Sequence, residues 1–464
     1  MYNLTVTFDL FQFDDKRKNN TKNKKAAPDI MQNHQRAIQS RLLFSVGITL
    51  FILMSRASSA TLFTTADFEG TWYMHTLGVK EKSGGWGYGT YIVDSNGSCT
   101  GSYITSTGHS ESPSGTLSID GDGIIKALNL GGLTSTFHGV MNNKKDMMFS
   151  TGTGGDGSFQ LHLFVKAGGT FTQSDLQGTW YWHVLVSGDD TAWKGWLYMT
   201  TVVDGIGNFH SIPGSYLNSS GDTDISQIGT LNITSDGIVT IPGKPDAHGK
   251  MNIVKDTIVI TMDDGGGGYS LSIVTKAGGT FATSNLSGTW YLHELAYGSS
   301  YDDWIGWCYD TLFFDSRGNG NSVAGSYLDC SGETDHTWGG TMYITSDGII
   351  TLSNMPIFHF HGIMNLGKDM WIGTMNDSGG GYGLLIAAGR PADEFNLADL
   401  NNDGIINADD FAFLVADWGK TNVDSVADIS GPDGIPDRNV DDYDLRAFCE
   451  QMFGVILPPL PLES

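Results

Sequence analysis

Between residues 61 and 391 apolar and polar positions alternate over short runs rich in Thr, Tyr, Trp, Val and Ile, and no segment there carries a long helical period. That is the signature of half-buried β-strands. Residues 280–391 divide at their turns into eight such runs: 289–296, 305–314, 322–329, 338–345, 349–353, 357–365, 370–375 and 382–387. The connectors are Gly-, Asp-, Asn- and Ser-rich, as hairpin loops require. Eight sequential strands in about 100 residues predict an antiparallel up-and-down barrel, which leaves no open edge. A β-sandwich is the alternative architecture.

The pattern is written three times. Phe63–Leu77 (FTTADFEGTWYMHTL), Phe171–Leu185 (FTQSDLQGTWYWHVL) and Phe281–Leu295 (FATSNLSGTWYLHEL) open three stretches of similar length. Gly-Ser-Tyr recurs at 101–103, 214–216 and 325–327. A His-Gly-x-Met-Asn-x-x-Lys-Asp string begins at His138, His248 and His361. Self-similarity at a fixed period means one folding unit copied in tandem. The reading is three β-repeats, 61–169, 170–279 and 280–391, each with its own core, in a semi-rigid row because the connectors are short. A separate segment, 392–455, and a tail, 456–464, follow.

Residues 1–60 read as a leader. Arg36 and Arg41 precede an apolar run, 42–54, and Ser58-Ser59-Ala60 offers small residues for cleavage. The run is short for a membrane span, so secretion with cleavage near Ala60 is the expectation. Translation starting at Met31, or a disordered tail, would account for the polar residues before it. Residues 1–60 hold 9 Lys/Arg and 4 Asp/Glu, which leaves 17 basic and 47 acidic residues beyond, a net charge of −30. So acidic a surface repels nucleic acid and anionic lipid.

Export invites a disulfide reading of four cysteines. Cys308 and Cys330 flank the turn run 315–320 symmetrically, which predicts a bridge across a hairpin. Repeat 2 has no cysteine, so the unit folds without bridges.

The Gly-Thr-Trp-Tyr opening, followed in repeat 1 by Asp94-Ser-Asn-Gly-Ser-Cys-Thr-Gly-Ser-Tyr103, resembles the first strands of the avidin family. More loosely it is similar to lipocalins and other calycin-type barrels. The resemblance covers about 40 residues per repeat and implies that Trp72, Trp180 and Trp290 close one barrel end. Avidins carry a biotin-contacting Asn two residues on, where this chain has Met74, Trp182 and Leu292, so it gives little support to biotin binding. With the Trp face inside, strand alternation turns His75, His183 and His293 outward, towards a neighbouring barrel. These and His138, His248 and His361 could form metal or acid–base pairs. Equally, they could satisfy strand-end and turn hydrogen bonds. Trp86, Trp193 and Trp304 recur after the first strand and are candidates to stack on sugar rings. Plugging the barrel mouth is the other role open to them.

The last segment carries a different pattern. From Asp399, oxygen-bearing side chains fall at positions 1, 3, 5, 9 and 12 (Asp399, Asn401, Asp403, Asn407, Asp410), with Gly404 at 6 and the Ile405 carbonyl at 7. This spacing wraps six to eight oxygens around Ca2+. A second loop places Asp433, Asp437, Asn439, Asp441 and Asp444 at 1, 5, 7, 9 and 12, with Ile435 and Arg438 in place of a ligand and a glycine. It should bind more weakly. Asp at 12 followed by one apolar helix resembles a dockerin repeat. That resemblance implies a small all-α calcium module, a cohesin-like partner and a polysaccharide-degrading setting. Positions 10 and 11 (Ala408-Asp409, Asp442-Tyr443) depart from the Ser-Thr of cellulosomal dockerins.

No carboxylate pair recurs across the repeats, whereas glycoside hydrolysis needs two. The reading is therefore a secreted, non-catalytic binding or attachment protein. A carbohydrate-active hydrolase subunit and a structural surface or matrix protein are the alternatives.

Overall fold

The structure, a computed structural model, describes residues 63–80, 83–128, 137–188, 193–223, 225–265, 267–298, 305–353, 359–376, 381–391, 408–421, 427 and 439–453. The leader lies outside them.

Each repeat opens on one turn of 3-10 helix (Thr65–Phe68, Gln173–Leu176, Thr283–Leu286) and winds into an eight-stranded antiparallel barrel. In repeat 1 the walls are β1 (Gly70–Lys80), β2 (Ser83–Val93), β3 (Ser98–Thr105), β5 (Ser114–Ile119), β6 (Ile124–Leu128), β7 (His138–Met141), β8 (Met147–Thr153) and β9 (Phe159–Lys166), with a short flap, β4 (Ser110–Glu111), on β3. β9 pairs back onto β1, which closes the barrel. Repeat 3 closes likewise through β20 (Gly288–Gly298) and β28 (Gly381–Pro391). In repeat 2 one wall strand is interrupted at Leu231: residues 228–230 pair with one neighbour and 232–233 with the other.

The opening tryptophans are internal. Trp72, Trp180 and Trp290 are fully buried, and each indole N–H donates to the carbonyl that ends its 3-10 turn: Phe68 (2.7 Å), Leu176 (2.7 Å) and Leu286 (2.6 Å). Burying an indole demands such a partner. Lys166 and Lys276 lie over the rings of Trp72 and Trp180, and their ammonium groups bond the same turns. In repeat 3 the equivalent position, opposite Trp290, is Gly389, where a Cβ would meet the indole at 2.7 Å.

The barrels do not form a row. β1 and β2 pack on the last two strands of repeat 2, β18 (Thr257–Gly265) and β19 (Gly268–Lys276). The first two strands of repeat 2, β10 (Gly178–Gly188) and β11 (Gly195–Val203), pack on β28 and β27 (Met370–Asn376) of repeat 3. The first two of repeat 3, β20 and β21 (Gly306–Phe314), return to β8 and β9 of repeat 1. A head-to-tail contact repeated three times thus closes on itself, as a heterologous interface does when its rotation divides the circle.

Each barrel keeps an internal core, but a fourth apolar cluster joins all three. It contains Leu77 and Val79, Leu185 and Ile273, Leu295 and Tyr297, residues from outward faces that the ring makes interior. Arg390 seals the last junction. It stacks on Phe63 (4.4 Å to the ring centre) and donates to the carbonyls of Asp122 and Met141.

The predicted disulfide is absent. Cys308 pairs in register with Asp329, so Cys330 lies one residue out of step, and alternation sends the two side chains to opposite faces. Both thiols are free. Cys308 points into its barrel beside Glu294, and Cys330 packs outward on the shared cluster.

After the barrels the described residues hold two short helices, α1 (Ala408–Asp417) and α2 (Asp442–Phe453), tied by a bridge between Thr421 and Asn439 and by the Phe411 and Phe448 rings, 5.6 Å apart.

Candidate functional site

Two faces of the second strand define what the repeats do. It reads WGYGT from Trp86, WLYMT from Trp196 and WCYDT from Trp307. The Trp and Tyr of this Trp-x-Tyr-x-Thr motif face the next barrel. Trp86, Trp196 and Trp307 donate their indole N–H to Asp263, Asn376 and Thr153, which hold equivalent positions on the barrel that each meets. Tyr88, Tyr198 and Tyr309 stack on His248, His361 and His138 at 3.6–3.7 Å.

The two triplicated histidine sets therefore meet at the junctions. His183 Nε2 lies 2.9 Å from His361 Nδ1, and His293 Nε2 lies 3.0 Å from His138 Nδ1. At the remaining junction His75 bonds Thr261, the cross-strand neighbour of His248. In each His–His contact one ring donates and the other accepts, which requires the accepting ring to be neutral. Burial enforces this: it pushes His75 down to about 3, His138 and His361 to about 4, and His183 and His293 well below the usual imidazole value. Among the described residues no third ligand joins any pair, and no group of three or more His, Cys, Asp or Glu side chains is assembled for a metal. These histidines join barrels.

The register also corrects the tryptophan triplet. Counting residues from Gly-Thr-Trp selects Trp86, Trp193 and Trp304; strand pairing sets Trp86 level with Trp196 and Trp307, opposite Leu77, Leu185 and Leu295. Trp86 is 6% exposed, with its indole N–H committed to the junction and part of its surface lining the space inside the first barrel. Trp193 is 38% exposed on a loop, with its indole N–H 3.3 Å from Ser220 Oγ. Trp304 lies outside the described residues.

The other face of the strand points into the barrel, and there the copies diverge. In repeat 2 the inward Leu197 and Met199 lie beside Val184 and Trp182 and fill the interior. In repeat 3 Cys308 and Asp310 face inward, with Asp310 bonded to Ser322 and Ser326. In repeat 1 the same two positions are Gly87 and Gly89, and Gly85 precedes them. Gly87, with Gly85 beside it (a position that is glycine in every copy), lines a cavity of about 470 Å³ in the first barrel, whereas the space at Gly89 is taken by Tyr103. That volume falls within the range of small-molecule pockets, roughly 300–1,000 Å³.

Its lining mixes rings and hydrogen-bonding groups: Thr76, Tyr91, Tyr103, Gln160, His162 and Phe164. His162 has its Nδ1 2.8 Å from Thr76 Oγ1, while its Nε2 is buried without a partner. Burial alone pushes this imidazole down to about 4. At the mouth His109 pairs with Glu111 (3.2 Å), and Lys80 donates to the Asp156 carbonyl. Gln160 and Ser158 are tied into the same rim, Ser158 Oγ donating to Asp156 at 2.7 Å. Sequence reading missed this site, because its signal is Gly87 on an otherwise regular strand, where the sister copies carry Leu197 and Cys308.

The calcium-loop residues divide between two groups. Asp399, Asn401, Asp403, Ile405, Asn407, Asp433 and Asp437 lie outside the described residues. Asp410 and Asp444, at position 12 of each loop, are fully buried at the starts of α1 and α2. Asp444 accepts the Asp441 N–H and Asp441 that of Tyr443, both at 2.8 Å. Asn439 lies in the bridge that ties the two halves. These donors are all oxygen, which fits calcium chemistry.

No protein-family model matches the chain, and no curated protein does. Among solved structures it is similar to a protein of unknown function of the DUF3598 family from Nostoc punctiforme, over 70% of this chain and 99% of that one, at 9% identity and a TM-score of 0.18. It is also similar to transferrin binding protein B from Haemophilus parasuis, over 69% and 76%, at 10% identity and a TM-score of 0.22. Kievitone hydratase from Nectria haematococca matches over 47% and 93%, at 9% identity and 0.18. Likenesses at these scores carry no argument about function.

Proposed function

We propose that this chain is a secreted, non-catalytic binding protein, present outside the cell or on its surface. Its first barrel holds a small ligand, and its C-terminal segment is a calcium-loaded attachment module. The observation that supports the reading is the asymmetry of the copies: the interior is filled in repeat 2, polar in repeat 3 and hollow in repeat 1. A fold needs no void, since empty volume costs stability, so a cavity in one of three sister barrels points to use. Repeats 2 and 3 are the frame that holds the first barrel in the ring.

A thermal-shift screen of neutral and charged small molecules against the chain and its Gly87→Leu variant tests the pocket. Leucine stands at the equivalent position in repeat 2. A Cβ at Gly87 meets nothing closer than 3.7 Å, so the added side chain enters the void. Ligands that stabilise the parent and not the variant are the expected result; a screen whose hits all survive the substitution would contradict the pocket.

The attachment reading rests on the two loops. Asp399, Asn401, Asp403, Asn407 and Asp410 would hold the first ion with the Ile405 carbonyl, and Asp433, Asp437, Asn439, Asp441 and Asp444 the second. A metal that binds only the folded state adds its binding free energy to folding. Calcium should therefore raise the melting temperature of residues 392–455, with reversal by chelator. Asp403→Ala should weaken binding more than Asp437→Ala, and an unchanged melting temperature would oppose the calcium reading. A cohesin-like receptor is the partner class that the dockerin resemblance implies, with polysaccharide breakdown as its setting.

A further inference from the structure

The cavity's chemistry also limits what can occupy it. This inference rests on the reading of the first barrel as a binding pocket, and concerns the class of ligand.

The cavity is poor in positive charge. Among the described residues that line it, Lys80 is the one Lys or Arg, and it sits at the rim bonded to a carbonyl. Glu111 and Asp156 share that rim. An anion drawn inside would lose its hydration and meet no fixed cation, a cost of several kcal/mol for a buried unpaired charge. The neutral state of His162 adds none.

A wholly apolar guest fails for the opposite reason. His162 is 3% exposed, and its Nε2 has no partner. Thr76 fixes the other ring nitrogen, so Nε2 offers one hydrogen-bonding site to whatever enters. A hydrocarbon would leave that site unsatisfied. Tyr91 and Tyr103 carry hydroxyls whose ionisation burial opposes, so they stay neutral. Phe164, Met74 and the faces of those tyrosines supply apolar wall, and Thr105, Ser106, Thr107, Ser158 and Gln160 add further hydrogen-bonding groups.

We infer that the first barrel binds an uncharged ring compound bearing hydroxyl groups, with its ring against Tyr91, Tyr103 and Phe164 and one hydroxyl on His162 Nε2. A pyranose sugar and a phenol share this chemistry.

The test measures binding to the full chain by isothermal calorimetry at pH 7. Methyl glucoside and cellobiose form the sugar arm, 7-hydroxy-4-methylcoumarin the phenol arm, and the sulfate ester of that coumarin the charged counterpart. The inference predicts that at least one neutral compound binds, and that the sulfate binds at least tenfold more weakly than its parent. Gly87→Leu should abolish neutral binding. His162→Leu, close in size but without the ring nitrogens, should weaken it at least tenfold while the circular dichroism spectrum is kept. His162→Gln, which restores a polar group, should recover part of the loss. If the sulfate binds as well as the parent and Gly87→Leu removes it, the ligand class is wrong and the pocket stands. If none of the four compounds shows binding sensitive to Gly87→Leu, the inference is overturned, and the pocket is left to the wider thermal-shift screen. Equal affinity in the parent and His162→Leu overturns the role of Nε2.

Discussion

Between pH 7.5 and pH 5 the three-barrel unit should lose on the order of 10 kcal/mol of stability, against the roughly 5–15 kcal/mol that holds a domain folded. The cause is the set of buried neutral histidines. His138, His162 and His361 are held near 4, His75 near 3, and His183 and His293 well below the ordinary value. An unfolded histidine titrates near 6.5. Above that pH neither state takes up the proton and stability is whole. As the pH falls from 6.5 towards the folded values, the unfolded chain binds protons that the ring refuses, and stability drains away. A histidine held near 4 accounts for about 2 kcal/mol at pH 5. Protonation of both rings would also leave a His–His contact with two donors and no acceptor. Urea unfolding at pH 7.5 and 5.0 reads the effect as a large fall in midpoint; equal midpoints would mean that the histidines are not sealed between barrels.

Trp180→Ala should cost about 3–5 kcal/mol, as removing a buried Trp does. Its indole is fully buried and bonded to the Leu176 carbonyl beneath Lys276. Trp193→Ala, on the loop, should cost under about 1 kcal/mol. The ring adds a consequence. Tyr181, Leu185, Val259, Leu271 and Ile273 of repeat 2 belong to the apolar cluster shared with both neighbours. Losing repeat 2 therefore uncovers repeats 1 and 3, and calorimetry on Trp180→Ala should show one cooperative transition at lower temperature. Two transitions, one at the parent temperature, would show that the shared cluster does not couple the barrels. A costlier Trp193 would reverse the assignment of inside and outside.

Much of the fold was legible because the repeats carry their own comparison. Turn residues bounded most strands of repeat 3 well, but the third is Asn319–Ser322, inside the run read as a turn, so the run 322–329 meets it only at Ser322 and again pairs only at Leu328–Asp329. Alternation placed Trp72 inside and His75 outside. What failed was register across loops of unequal length. Trp86 follows Leu77 by 9 positions, but the later pairs are 11 and 12 positions apart, so counting from Gly-Thr-Trp slid onto Trp193 and Trp304. The Trp-x-Tyr-x-Thr motif was the missing anchor. The same kind of slip set Cys308 against Cys330, although pairing makes Asp329 the partner. Ring closure had a visible cue: Leu77, Val79, Leu185 and Leu295 lie on the face that a free barrel would give to water. The cavity was the least legible feature, since a glycine such as Gly87 on a strand reads as weakness until a closed barrel shows which way it faces.

The closed ring is the central claim, and small-angle X-ray scattering on residues 61–391 tests it most directly. A compact body of that length has a radius of gyration of about 20 Å. Three barrels of about 13 Å each, strung in a row at roughly 27 Å spacing, would give about 26 Å. A value near 20 Å with a single-peaked distance distribution is the expected result. A value near 26 Å, with a shoulder at long distances, would contradict the ring.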